Sequence, residues 1–110
     1  MTWRSGRRFL ERQLLHLPRA CRAIVVTLPL INQLVRCGTS IGANYCEADD
    51  AMSKKELRKN IGTCKKEARE TKHFIRMIAA AEPSMKGNAR PLWQEAKELH
   101  LIFAKIHRSR

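Results

Sequence analysis

The chain has 110 residues, with 22 Lys and Arg against 10 Asp and Glu and a formal net charge of +12 at neutral pH. That length holds one domain, residues 1–110, built on one hydrophobic core. With 44% hydrophobic and 29% charged residues the chain is too apolar for a disordered polybasic tail, and 5% aromatics with 5 Gly and 4 Pro give little material for a many-stranded β fold.

Taken in chain order, Leu10, Leu14, Leu17, Cys21, Ile24 and Leu28 keep a helical rhythm that Pro18 interrupts, predicting a short helix over about 4–16 and a second piece to about 27. From Pro29 to about residue 52 a further helix is predicted, with Leu30, Leu34, Ile41, Tyr45 and Ala48 on one face. Gly38 and Gly42 interrupt it, each at a cost of about 1 kcal/mol in a helix interior, and close approach of a neighbouring helix is the expected reason. Ser53-Lys54-Lys55-Glu56 has the form of a capping box. After it Leu57, Ile61, Cys64, Ala68, Thr71, Ile75 and Ile78 recur at alternating spacings of four and three, predicting a helix over 54–82 that stops before Pro83. Residues 82–90 read as a loop or a fraying turn, and Pro91 suits the first turn of a last helix carrying Leu92, Ala96, Leu99, Phe103 and Ile106.

These elements predict an all-α fold, an up-and-down antiparallel four-helix bundle whose first helix is short or broken at Pro18. The expected core comprises Leu34, Ile41, Tyr45, Leu57, Ile61, Cys64, Ala68, Ile75, Leu99 and Phe103.

Charge is distributed unevenly. Residues 29–52 are net acidic, with Arg36 against Glu47, Asp49 and Asp50, while the segments on either side are basic. Projected at 100° per residue from Leu57, Lys54, Arg58, Lys65, Arg69, Lys72 and Arg76 fall between about 60° and 120°. Glu56, Glu67 and Glu70 fall at about 220–280°, on the other flank. The six cations are candidate nucleic-acid contacts, since a basic stripe on one rigid side can neutralise phosphates. A helix basic on one flank and acidic on the other also suits packing between two neighbours, as in a head-to-tail ring of identical subunits. Gln33, Arg36, Ser40, Asn44 and Glu47, with Glu67 and Glu70, are therefore candidate oligomer contacts.

Catalytic chemistry has little to stand on. Cys21, Cys37, Cys46 and Cys64 form no CxxC pair, and His16, His73, His100 and His107 make no HExxH or other metal-ligand spacing. There is no glycine-rich phosphate loop and no GxSxG elbow. No catalytic residue, metal or cofactor is expected. Apolar runs such as Ala23–Val26 and Ile78–Ala81 are too short to cross a bilayer, and charged residues break up the N-terminus where a signal core would lie. A cytoplasmic protein with reduced thiols and no membrane contact is the expectation.

The stretch Gln33-Leu-Val-Arg-Cys-Gly-Thr-Ser-Ile-Gly-Ala-Asn-Tyr-Cys-Glu-Ala48 resembles the four-helix-bundle 23S rRNA intervening-sequence proteins. The resemblance continues through Ser53–Glu56, Lys66–Thr71 and Leu92–Ala96, with Cys37 where the family usually has Ser. It implies an up-and-down bundle that assembles as a pentamer, related to the accessory variability determinant of diversity-generating retroelements, a pentameric barrel that binds nucleic acid and a reverse transcriptase. The expected function is that of a non-enzymatic homo-oligomer binding RNA or DNA through its basic helix flanks. The alternative is a ring-shaped scaffold for an acidic protein partner.

Overall fold

Pro18 marks the entry to the first long helix, and the computed structural model describes residues 12–13 and 16–109. The helix expected over about 4–16 lies almost wholly outside those residues. Helix α1 runs Arg19–Asp49 without a break. It is α-helical over Arg19–Arg22, π-helical over Ala23–Thr27, and α-helical again over Leu28–Asp49. The boundary predicted at Leu28-Pro29 is therefore absent. A proline ring collides with the carbonyl four residues back in a regular α-helix, and the wider π turn just ahead of Pro29 shifts the bonding pattern at that point.

Helix α2 spans Lys54–Ala81, close to the predicted 54–82. Ser53 is extended, with φ −147°, and its Oγ accepts the Glu56 amide at 3.1 Å. The Glu56 carboxylate reaches back one residue beyond the usual partner and accepts the Met52 amide at 3.3 Å. A 3₁₀ turn, Pro83–Met85, leads directly into α3, Lys86–Arg108. The loop expected over 82–90 is thus mostly helix, and Pro91 lies inside α3 rather than at its start. Pro91 and Gly87 are both exposed, so water can serve the Gly87 carbonyl that Pro91 leaves without an amide.

All the long elements among the described residues are helices, three in number. Helix α2 lies between the other two, and α1 and α3 approach each other much less than either approaches α2. Ala48, Ile61, Cys64, Ala68 and Phe103 form the central cluster, with Ile41 and Leu99 packed against it. Ile75 and Ile78 extend the buried seam along α2, and Leu34 is half-buried on α1. Two expected core residues are on the surface: Tyr45 is 52% exposed and Leu57 38%. Leu57, in the first turn of α2, lines an open hollow of about 570 Å³ with Tyr45, Ala48 and Asp49 of α1 and Ile106 of α3, which leaves it partly in solvent. Tyr45 covers one edge of Phe103, with ring centroids 6.4 Å apart, and turns its other side outward.

The close approach expected at Gly38 and Gly42 is not made by the described residues, among which a Cβ at either position would meet nothing within 4 Å. Gly62 of α2 is the glycine that a neighbour touches, and a Cβ there would stand 3.2 Å from Nε2 of His107. On α1 the stripe Ile24, Leu28, Val35, Gly38 and Gly42 is exposed along one side of the helix. As one uninterrupted helix of 31 residues, α1 contains an 18-residue window of mean hydropathy 1.4, long and apolar enough by length and composition to cross a membrane. The short apolar runs seen in the sequence understate this, because Asn32, Gln33 and Arg36 divide them. Those same polar residues and the packing of Cys37 and Ala48 against α2 are what one expects of a bundle helix.

Candidate nucleic-acid interface

The two charged flanks of α2 face different helices. On the acidic side, Arg36 of α1 reaches across to Glu67, Nη1 to Oε2 at 3.4 Å, and to Glu70, Nη2 to Oε2 at 3.2 Å. Gln33 Oε1 accepts the Arg36 Nε–H at 2.9 Å, and Nη2 also donates to Cys37 Sγ at 3.1 Å. The Cys37 thiol in turn donates to Glu70 at 3.6 Å. Cys37 is fully buried, and burial pushes its thiol up to about 12 against the opposing pull of Arg36. The hydrogen bond to Glu70, then the neighbouring charges, hold the Arg36 guanidinium more firmly protonated. Cys37, Glu67 and Glu70 bring three ligand-type atoms within 4.8 Å of one another, and Arg36 is the cation among them.

The residues proposed from sequence for contact between copies are therefore largely engaged within one chain. Glu67 is an interior group at 6% exposure, and the partner of this acidic flank is α1 of the same chain. Asn44 donates to the Ser40 carbonyl at 2.9 Å and to its hydroxyl at 3.1 Å, a bond along α1, while Glu47 is exposed.

The basic side of α2 faces α3, and no acidic complement meets it there. Projected from Trp93, the α3 residues Lys86, Arg90, Lys97, His100 and His107 fall within about 60°, whereas Glu95 and Glu98 lie about 140–200° away. All six predicted cations border the resulting groove. Lys54 and Arg58, with Leu57, Ile61, Ile106 and Ser109, line a hollow of about 590 Å³ at its lower end. Lys65 and Arg69 line the middle, a hollow of about 330 Å³ completed by Gly62, Lys66, His100 and His107. Lys72 Nζ donates to His100 Nδ1 at 3.0 Å. At the upper end the Arg76 guanidinium lies 5.1 Å from the Trp93 ring centre, and Lys97 Nζ 5.6 Å from it.

The middle hollow has the densest charge. Among the described residues no carboxylate lines it. Because an ammonium group cannot accept a hydrogen bond, the Lys72 contact requires a bare Nδ1 on His100 and puts the ring proton on Nε2. Burial, then the charges of Lys72, Lys65 and Arg69, hold the His100 imidazole below its ordinary pKa.

Sequence reasoning found the α2 wall of this groove and missed the α3 wall. Trp93 is half-buried between two cations, and its indole Nε1 is buried without a hydrogen-bond partner among the described residues. The signal was present: Trp93, His100 and His107 recur every seven residues, which puts all three on one helical face.

No protein-family model matches the chain, and no curated protein matches it. Among solved structures it is similar to a protein of unknown function from the S23 ribosomal protein family of Bacteroides thetaiotaomicron, known from a crystal structure at 1.70 Å resolution. The TM-score is 0.70 at 22% identity, over 90% of this chain and 92% of that one, so the two share a fold.

Proposed function

We propose that the protein is a non-catalytic, self-associating helical bundle that binds RNA along the groove between α2 and α3. The observation that carries this reading is the unmatched basic wall of α2. Its acidic flank is met by Arg36, while its basic flank looks onto a face of α3 that adds cations, imidazoles and an indole. Such a groove would hold a sugar–phosphate backbone by phosphate contacts, giving affinity with little sequence readout. Trp93 at one end offers a ring for a base or a ribose, flanked by two cations. A fold shared with a protein assigned to a ribosomal-protein family is in keeping with an RNA partner. Self-association is assigned to the exposed apolar and small stripe of α1, which the described part of the chain leaves uncovered.

The test is a triple charge reversal, R58E/R69E/R76E, measured by fluorescence anisotropy on a generic single-stranded RNA over a range of salt. Losing three phosphate contacts should weaken binding and make the slope of log affinity against log salt shallower by about 2, at about 0.7 per contact. Mass measured by light scattering is the control. An unchanged slope in a variant of unchanged mass would refute the groove as the binding face. If an acidic protein binds the groove and generic RNA fails to displace it, the scaffold reading replaces this one.

A further inference from the structure

Along the groove, the middle hollow is bounded on each side by a contact between α2 and α3. Below, the His107 ring lies against Gly62, where even a methyl group would stand 3.2 Å from Nε2. Above, the Lys72–His100 hydrogen bond spans from α2 to α3 at 3.0 Å. The two bridges start from Gly62 and Lys72, ten positions apart on α2, which is about 15 Å of helix. A chain of nucleotides running along the groove would have to pass over both bridges, but a group that ends in the hollow would not.

An internal phosphodiester carries one negative charge and continues on both sides. A phosphomonoester carries about −1.5 to −2 near neutral pH, with three acceptor oxygens and only one covalent attachment. A hollow of about 330 Å³ bounded in this way, lined by Lys65, Lys66, Arg69, His100 and His107 with no carboxylate among the described residues, matches the second. We propose that this hollow between α2 and α3 is a binding site for a terminal phosphomonoester, so that the protein captures the phosphorylated end of an RNA. The assignment rests on the RNA reading above and specifies which part of the RNA the groove holds first.

The groups that face His100 are Lys65, Arg69 and Lys72 from α2, with His107 beside it on α3; α1 contributes nothing to the lining. A dianion placed among them offsets the field that keeps the imidazole neutral, so binding should draw a proton onto His100. Its Nε2–H, left free by the Lys72 bond, is the donor available to a phosphate oxygen before that proton arrives.

The experiment compares one oligoribonucleotide with a terminal phosphate and with a terminal hydroxyl, by anisotropy at pH 6.5 and constant salt. Inorganic phosphate is titrated separately while the His100 and His107 ring resonances are followed by NMR. The expected result is about tenfold tighter binding of the phosphorylated end. That preference, taken as the ratio of the two affinities so that any general loss of RNA binding cancels, should vanish in K66Q/H107Q, which keeps the Lys72–His100 bridge. The His100 titration midpoint should rise with inorganic phosphate. Equal affinity for both ends would overturn the proposal and leave the RNA reading standing; no binding of either oligonucleotide would overturn both. If inorganic phosphate moves the His100 midpoint but the oligonucleotide ends are not distinguished, the hollow takes a free phosphate and the RNA-end assignment falls. A persistent end preference in a folded K66Q/H107Q protein would place the site elsewhere.

Discussion

Gly38 and Gly42 lie one turn apart in the middle of α1, with nothing among the described residues within 4 Å of a Cβ at either position. Neither is needed for backbone conformation, because no glycine among the described residues has a positive φ. For an isolated chain, G38A/G42A should therefore be favourable, by about 1 kcal/mol at each site from helix propensity alone. A combined gain of about 2 kcal/mol corresponds to a rise in melting temperature of roughly 10 °C for a domain of this size. If α1 also packs against a second copy through this small-residue stripe, the two added methyl groups occupy the space between backbones and weaken association. The double variant should then lose assembled mass in sedimentation or light scattering at micromolar concentration. Its dissociated chain should melt higher by circular dichroism than dissociated wild-type chain. Misfolding cannot mimic this pair of results, because it lowers the melting temperature. Retention of the wild-type assembled mass would refute the role given to the α1 stripe.

Four further outcomes are expected. Ile61, 3% exposed in the central cluster, should not tolerate I61D, since an unpaired buried charge costs several kcal/mol against a total of about 5–15; a parent-like melt would overturn the packing assigned to α2. In native protein an aromatic disulfide reagent should react quickly with exposed Cys21 and Cys46 and slowly with buried Cys37 and Cys64, and equal rates would contradict the burial. Because the folded Cys37 thiol is held at about 12, above its ordinary value near 9, it supports the fold fully below pH 9. That support should be lost as pH rises from 9 towards 12, by up to about 1.4 kcal/mol per pH unit, and C37S should show a flatter alkaline limb in urea titrations. His100, held below its ordinary pKa, acts in the opposite direction: its contribution is present above about pH 6.5 and fades as pH falls below that, so H100Q should flatten the acid limb.

The helix over Lys54–Ala81 was legible almost to the residue, because its signals are local: a capping box, a sustained apolar seam and a terminating proline. The two misplaced helix boundaries both involve proline. Pro29 was read as a boundary because a regular α-helix cannot hold it, and a π turn has no residue signature by which it could be anticipated. Pro91, with Gly87 and Asn88 before it, was read as a helix start, but solvent exposure lets the missing bond be met by water. For the site, projection at 100° per residue separated the flanks of α2 correctly but could not say what lay opposite. The acidic flank was assigned to another subunit, and it is Arg36 of the same chain that occupies it. Which helix faces which flank depends on how α1 and α3 are arranged about α2, and that information is not periodic.

The π turn at Ala23–Thr27 has a further consequence, one of phase. A π turn takes in an extra residue, so the helix before it and the helix after it are out of step by about one position, or about 100° of rotation. Arg19 lies on the early side of that slip, and it meets Glu82 at the far end of α2 with Nη2 3.1 Å from Oε1. Removing one residue from Ala23–Thr27 would let the helix run on as a regular spiral, and would swing Arg19 away from Glu82. The direction from which the preceding chain enters α1 would turn with it. That one additional residue thus sets the bearing of Arg19 on Glu82 while leaving the α2–α3 groove in place.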